Sequence, residues 1–196
     1  MSTSSSSARS HIRGRSRLAR SADRLNARSK TPSAVALHIR NVVINVVASA
    51  YVLPVGLRRR LLSLCGMTVG SRSVVKSRCT FVGAHPVSIG QDCYISFRCV
   101  FDASAPIVID DGVYIAHGVN IVTATHEIGD RSMRASTPLR KSVTIGRGSW
   151  LGADFTVLPG VTVAEGCVIA AGAVVAADCT ADGLYGGVPA RRLRDL

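Results

Sequence analysis

The chain has 196 residues, 47% of them hydrophobic, and carries 24 Lys and Arg against 12 Asp and Glu, a formal net charge of +12. The apolar content excludes a wholly disordered chain, and the length suits one extended domain with an appendage. Six cysteines without a single CxxC pair argue against a disulfide framework or a cysteine metal site and fit a reducing compartment.

Residues 1–32 form a Ser- and Arg-rich start in which Arg9, Arg13, Arg15, Arg17, Arg20, Arg24, Arg28 and Lys30 stand against Asp23 alone. With few large apolar residues to offset the entropy of ordering, this stretch is expected to be a disordered, solvated tail. An anionic membrane surface is a further reading of its charge. Nucleic acid is not expected, because neither aromatic interleaving nor a recognised binding motif accompanies the charge. The acid-poor composition also imitates an organelle transit peptide.

Residues 33–66 are expected to be helical. Pro32 opens a helix over Ser33 to Leu53, and Pro54 closes it before a second, shorter one from Gly56 to Cys65. In the first, His38, Asn41, Asn45 and Ser49 mark a narrow polar stripe on a Val-, Ile- and Ala-rich cylinder. Its apolar run is too short to span a bilayer. Two readings stay open: packing against the following domain or a partner subunit, or a peripheral membrane contact through residues 33–65 beside Arg58, Arg59 and Arg60.

From residue 67 the pattern changes to a repeat of six. It is clearest in Ile145-Gly-Arg-Gly-Ser-Trp, Leu151-Gly-Ala-Asp-Phe-Thr, Val157-Leu-Pro-Gly-Val-Thr and the three hexads after them, each opening on Ile, Leu or Val. Earlier first positions fall at Val69, Val75, Phe81, Ile89, Ile95, Phe101, Ile109, Ile115 and Ile121. The jumps from 81 to 89 and from 101 to 109 add two residues each, which belong at a corner. A period of six suits neither a helical stripe nor hairpin strands; it predicts a parallel β-helix whose coils stack as a prism, starting at residues 69, 89, 109, 145 and 163. Five of the six cysteines (Cys79, Cys93, Cys99, Cys167, Cys179) fall at fifth positions of hexads, where a small buried side chain is expected. Phe97, Phe155 and Trp150 are expected on or near the outer corners.

The prism spans 67–182 and is interrupted once, by a loop over 127–142. Chemistry is expected there, since the regular faces of a solenoid provide stability and its excursions function. His126 at the base of this loop, the run Val143-Thr-Ile-Gly-Arg-Gly-Ser-Trp150-Leu-Gly, Pro159-Gly160-Val161-Thr162 and the closing Gly186-Gly-Val-Pro189-Ala-Arg-Arg resemble the hexapeptide-repeat acetyltransferases. The maltose, galactoside and nodulation-factor O-acetyltransferase branch is the nearest in pattern. The resemblance covers roughly Val69 to Arg194.

What the resemblance implies is a left-handed β-helix, mainly β, in a homotrimer that takes acetyl-CoA and a hydroxylated acceptor such as a sugar; the cysteines and residues 33–65 are what point to the cytoplasm, with association to a membrane as the further reading. The resemblance implies His126 as the general base, a role suited to the side chain whose ordinary pKa lies nearest neutrality. It makes Ser96, in Tyr94-Ile-Ser96-Phe97, the counterpart of an oxyanion-binding Asn, a departure from the family pattern. Asp102 and Trp150 correspond to acceptor-side residues. Glu127 is a candidate to orient the imidazole. For coenzyme A the resemblance points to Gly152, Ala153, Ala170 and Ala171 as a slot for the pantetheine arm. Arg191 and Arg194, with Arg192 as a substitute, would meet phosphate in a tail over 183–196. Ala176-Ala177 replaces a Thr-Lys pair frequent in the family. No metal is expected. His85 reads as structural and His117 as a rival base. Two other classes remain: a non-catalytic β-helix assembly module, and a zinc-dependent protein like the γ-class carbonic anhydrases, for which His85, His117 and His126 are the available ligands.

Overall fold

The computed structural model describes residues 33–196; the tail expected over 1–32 lies outside the described residues. From residue 68 the chain winds as a parallel β-helix whose short strands stack into three faces. The first face is built from Thr68–Val69, Val87–Ile89, Ile107–Ile109, Val143–Ile145 and Thr162–Val163. The second stacks Val74–Val75, Tyr94–Ile95, Tyr114–Ile115, Trp150–Leu151 and Val168–Ile169, and the third Thr80–Val82, Val100–Asp102, Asn120–Val122, Thr156–Val157 and Val174–Val175. Val69 pairs with Ile89, Ile89 with Ile109, Ile109 with Ile145 and Ile145 with Val163, so the coil starts read from the hexads are the observed register.

The inward positions explain the period. First and fifth positions of the hexads point inward and flank one outward residue: Cys93 and Ile95, Cys99 and Phe101, Phe155 and Val157 are all buried. Phe155 is 0% exposed and fills the core, contrary to the expectation that it marks an outer corner. Its hexad position is an inward one, and burial of so large an apolar side chain outweighs the crowding. Fourth positions make the turns. Arg78, Asp92, Arg98 and Asp154 share the left-handed backbone region there with Gly112, Gly118, Gly148, Gly160, Gly166 and Gly172.

The fifth-position cysteines have a further task. The thiols of Cys79, Cys93, Cys99 and Cys167 donate to the carbonyls of Ser96, Asp110, Ala116 and Thr180 on the next coil, at 3.1, 3.0, 3.3 and 3.2 Å. Ser73 and Ser149 do the same through hydroxyls, to Gly90 and Ala164. Where a thiol or hydroxyl occupies the fifth position it supplies a donor as well as filling the corner, while Val113, Val119, Phe155 and Val161 fill it by packing alone. Burial pushes the thiols of Cys93 and Cys167 upward and that of Cys179 up to about 12. These groups stay protonated and poorly nucleophilic.

Two helices close the first coil. Helix α1 (Ala34–Val42) starts at Ser33, whose Oγ accepts from the Ala36 N–H, and continues as wider π-helical turns over Val43–Ala48. It ends before the expected Leu53. The reason is Arg58, on α2 (Val55–Leu64), which is 3% exposed and donates to the carbonyls of Ala48, Ala50, Leu53 and Val75. The chain leaves the helix to wrap this guanidinium, so Arg58 is an internal tie and not part of an outward basic cluster. Of the polar stripe, Asn45 bonds the prism, donating to the Phe81 carbonyl at 2.9 Å and accepting the Phe81 N–H at 2.8 Å, while His38 is exposed; Arg40, beside the stripe, donates to the carbonyls of Cys65 and Gly83.

The burial pattern predicts thiol reactivity. Iodoacetamide on the native protein should label Cys65, the half-buried thiol, well ahead of the five buried ones, which react only after denaturation. Peptide mass spectrometry of the labelled protein reads the order; rapid native labelling of Cys93 or Cys167 would contradict it.

Candidate active site

The three corners of the prism are not alike. Between the second and third faces the turns are tight, and successive coils contribute Lys76, Ser96, Ala116, Gly152 and Ala170, linked by backbone hydrogen bonds one coil to the next. Ser96 N–H reaches the Ile115 carbonyl, Ala116 the Leu151 carbonyl, Gly152 the Ile169 carbonyl and Ala170 the Tyr185 carbonyl. A second column, Phe97, His117, Ala153 and Ala171, runs beside it. This corner therefore gathers Ser96, Gly152, Ala153, Ala170 and Ala171. Gly152 has a structural cause as well: a Cβ there would lie 2.6 Å from the Ala171 nitrogen. The Ser96 hydroxyl makes no hydrogen bond among the described residues, which leaves it free to donate.

The column continues into a C-terminal hairpin of Gly183–Gly187 and Ala190–Asp195, added to the second face. Arg191 pairs with Gly186 directly beyond Ala170, and Arg194 pairs with Leu184. Among the described residues, their guanidiniums donate hydrogen bonds only to the neighbouring Ala190 and Asp195 carbonyls. Arg192 differs. It binds Asp195, the Thr180 hydroxyl and carbonyl, the Tyr185 hydroxyl and the carbonyls of Ala181 and Asp182, and those bonds hold its pKa above the usual value, the Tyr185 hydroxyl first. It is occupied as a structural clamp and does not stand in for its neighbours.

The corner between the third and first faces holds every excursion of the chain. Residues 83–86 and 103–106 contain the two-residue additions, and the interruption emerges from the same corner as an antiparallel hairpin of Ala124–Ile128 and Ala135–Arg140. The sequence suggested a loop; the ladder Ala124 to Arg140, Thr125 to Leu139 and His126 to Pro138 makes it regular. His126 is exposed on this hairpin and forms no hydrogen bond among the described residues, to Glu127 or to any other group. Asp102 lies at the hairpin base, next to Val122 in register, and its Oδ1 accepts from the backbone and hydroxyl of Ser104 at 3.1 and 2.7 Å. Buried Thr123 ties the same place, donating to the Asp102 carbonyl and accepting from Ala105.

His126 and Asp102 thus share one corner, and Ser96 with the small-residue columns shares another. A tight turn at His117–Gly118 and the third-face strand Asn120–Val122 lie between Ala116 and Thr123, so one face of the prism separates the two corners. Trp150 stands on neither corner but on the outer side of the second face, 55% exposed, beside Tyr114, which stacks on Tyr94 at 4.8 Å. His117 is the histidine on the small-residue corner, with Nε2 3.7 Å from Asp154 Oδ2. His85 has a buried Nδ1 without a hydrogen-bond partner among the described residues and belongs to the other corner. Among the described residues no three His, Cys, Asp or Glu come together as a metal site.

Replacement of Arg192 by Ala should lower the melting temperature by several degrees, because one change removes the hydrogen bonds that tie the C-terminal hairpin to Thr180, Ala181, Asp182 and the Tyr185 hydroxyl. The double change Arg191→Ala/Arg194→Ala should leave it unchanged. Differential scanning fluorimetry separates the two.

Residues 142–177 match the bacterial transferase hexapeptide model (six repeats). Among solved structures, a hexapeptide-repeat-containing acetyltransferase from Vibrio cholerae O1 biovar eltor, complexed with acetyl coenzyme A, is 29% identical over 83% of this chain and 86% of its own, with a TM-score of 0.72. A maltose O-acetyltransferase from Clostridium difficile 630 (24% identity, 82% of this chain and 84% of that one, TM-score 0.68) shares the fold. So does a galactoside acetyltransferase in complex with coenzyme A (23% identity, 88% and 89%, TM-score 0.71). With the repeat matched and the stacked parallel coils observed, the chain is a hexapeptide-repeat β-helix protein built as these acetyltransferases are.

Proposed function

We propose that the protein transfers an acetyl group from acetyl-CoA to a hydroxyl of a sugar or similar small acceptor. The observation that carries this reading is the corner of small residues from Ser96 through Gly152 and Ala170, which ends at the unclamped guanidinium of Arg191. A thin pantetheine arm fits along exposed backbone, and its phosphates fit a free cation. The acetyl-CoA complex of the Vibrio protein supports the same cofactor.

In the proposed reaction, His126 removes the proton of the acceptor hydroxyl as its oxygen attacks the thioester carbonyl. The carbon–oxygen bond forms, the carbonyl electrons move onto an oxyanion, and the Ser96 hydroxyl donates to it. Collapse breaks the carbon–sulfur bond, and the imidazolium returns the proton to the leaving thiolate. Because His126 and Ser96 stand on different corners of one chain, the slot of one copy would meet the histidine of the next. A cyclic trimer satisfies this head-to-tail requirement with every site complete.

His126→Ala should lower acetyl transfer about 10²- to 10⁴-fold while retaining acetyl-CoA binding, read by calorimetry beside mass spectrometry of candidate acceptors. Near-normal turnover would move the base to His117. The shared site predicts complementation: inactive His126→Ala and Ala153→Trp proteins, unfolded and refolded together, should recover activity in roughly one quarter of sites by random assortment in a ring. No recovery in correctly assembled mixtures would put both groups in one subunit.

A further inference from the structure

Helix α1 is mounted the wrong way round for a soluble protein. Its polar residues Arg40 and Asn45 bond the prism, with Ile44 and Ala48 buried beside them, and a second row of apolar residues faces outward. Val35, Ile39, Val42 and Val46 recur at intervals of four, three and four, which is one face of a helix. They are 69, 58, 43 and 64% exposed, and Tyr51 and Val52 extend the patch past the helix end. The hydrogen bonds on the inner side fix this orientation. Rotation to bury the valines would break the Phe81, Cys65 and Gly83 contacts together.

The charge around this face has one sign. Fifteen of the 24 Lys and Arg, but only one of the 12 Asp and Glu, lie in residues 1–91, and no carboxylate occurs between Asp23 and Asp92. Arg60 and Arg78 are exposed on the segments adjoining the helix, and the Arg78 N–H bonds the Ser49 carbonyl at its end. The 32 residues before Ser33 join the chain at the first turn of α1 and bring eight cations with them. A second copy seated on the patch would bring the same uncompensated positive charge against it. An anionic surface compensates it.

We propose that the outward face of α1 docks on the surface of an anionic bilayer, with the valine and isoleucine row in the headgroup–acyl boundary and the flanking arginines on acidic headgroups. Apolar residues on one side and cations at the rim are the composition of an interfacial helix. At 15 residues over both its parts it lies on the membrane; no helix among the described residues is long and apolar enough to cross one. The outward row of Val35, Ile39, Val42 and Val46 shares no residue with the histidine hairpin, the small-residue corner or the C-terminal arginines, so the surface is separable from acetyl transfer.

Co-sedimentation of the full-length protein with sucrose-loaded vesicles tests this. Phosphatidylcholine vesicles containing 30% phosphatidylserine should bind it, pure phosphatidylcholine should bind at least tenfold less, and added salt should weaken the anionic case. Ile39→Glu/Val46→Glu changes two exposed side chains and should reduce binding at least tenfold with melting temperature and acetyl-CoA turnover unchanged. Absence of binding to the anionic vesicles, equal binding to neutral ones, or full retention by the double variant would each overturn the proposal. So would light scattering in which the double variant alone loses an oligomer while neither protein binds vesicles, since the face would then belong to a second copy.

Discussion

The spacing of stacked strands, about 4.8 Å from backbone to backbone, governs this molecule. Each coil must bond the next along its whole perimeter, so side chains divide into those that fit the narrow interior and those that stand outside. The interior takes Ile, Leu, Val and Phe at first positions, and Phe81 stacks on Phe101 at 4.8 Å, the repeat distance itself. The corners are harder. There the carbonyls turn inward, and the thiols and hydroxyls of the fifth positions receive them. The cysteines are therefore part of the hydrogen-bond ladder and not merely small filler.

A stack so regular ends in open strand edges, which invite pairing with another chain. The two ends answer differently. The last coil is closed by the C-terminal hairpin, locked by Arg192 over the Tyr185 ring and the Thr180 carbonyl. The first is covered by α1 and α2, whose polar groups Arg40, Asn45 and Arg58 meet the carbonyls and the Phe81 amide they reach. An apolar helix face could not satisfy those groups. Closing the first coil with hydrogen bonds is what turns the valine row outward.

How much of this was legible in the sequence follows from the same physics. The register was legible because one interior row must be apolar at every sixth residue, and the two-residue additions were legible as shifts of that row. The fourth-position turn was available in Gly148, Gly160, Gly166 and Gly172, spaced at six or twelve, but Arg78, Arg98 and Asp154 hide it by adopting the same backbone without glycine. Phe155 lies inside and not on an outer corner, because its fifth hexad position is an inward one whatever the size of the side chain. The direction of α1 was not legible. A polar stripe on an apolar cylinder states which residues share a face, and only the carbonyls of Phe81, Gly83 and Cys65, distant in sequence, decide which face goes in.

The site is the least local feature. His126 and Ser96 were singled out by their resemblance to a family motif, and a linear motif carries no statement about which corner of a prism each residue occupies. Counting around a coil does. Second positions before a third-face strand fall on the small-residue corner, while residues that follow a third-face strand fall on the excursion corner, one face width away. A rigid prism cannot bend to bring those corners together, since each face is tied to the coils above and below. A base and an oxyanion donor act within hydrogen-bond reach of one substrate. If both serve one reaction they must come from different copies, and the rigidity that separates them in one chain is what would hold them in fixed relation across the boundary between two.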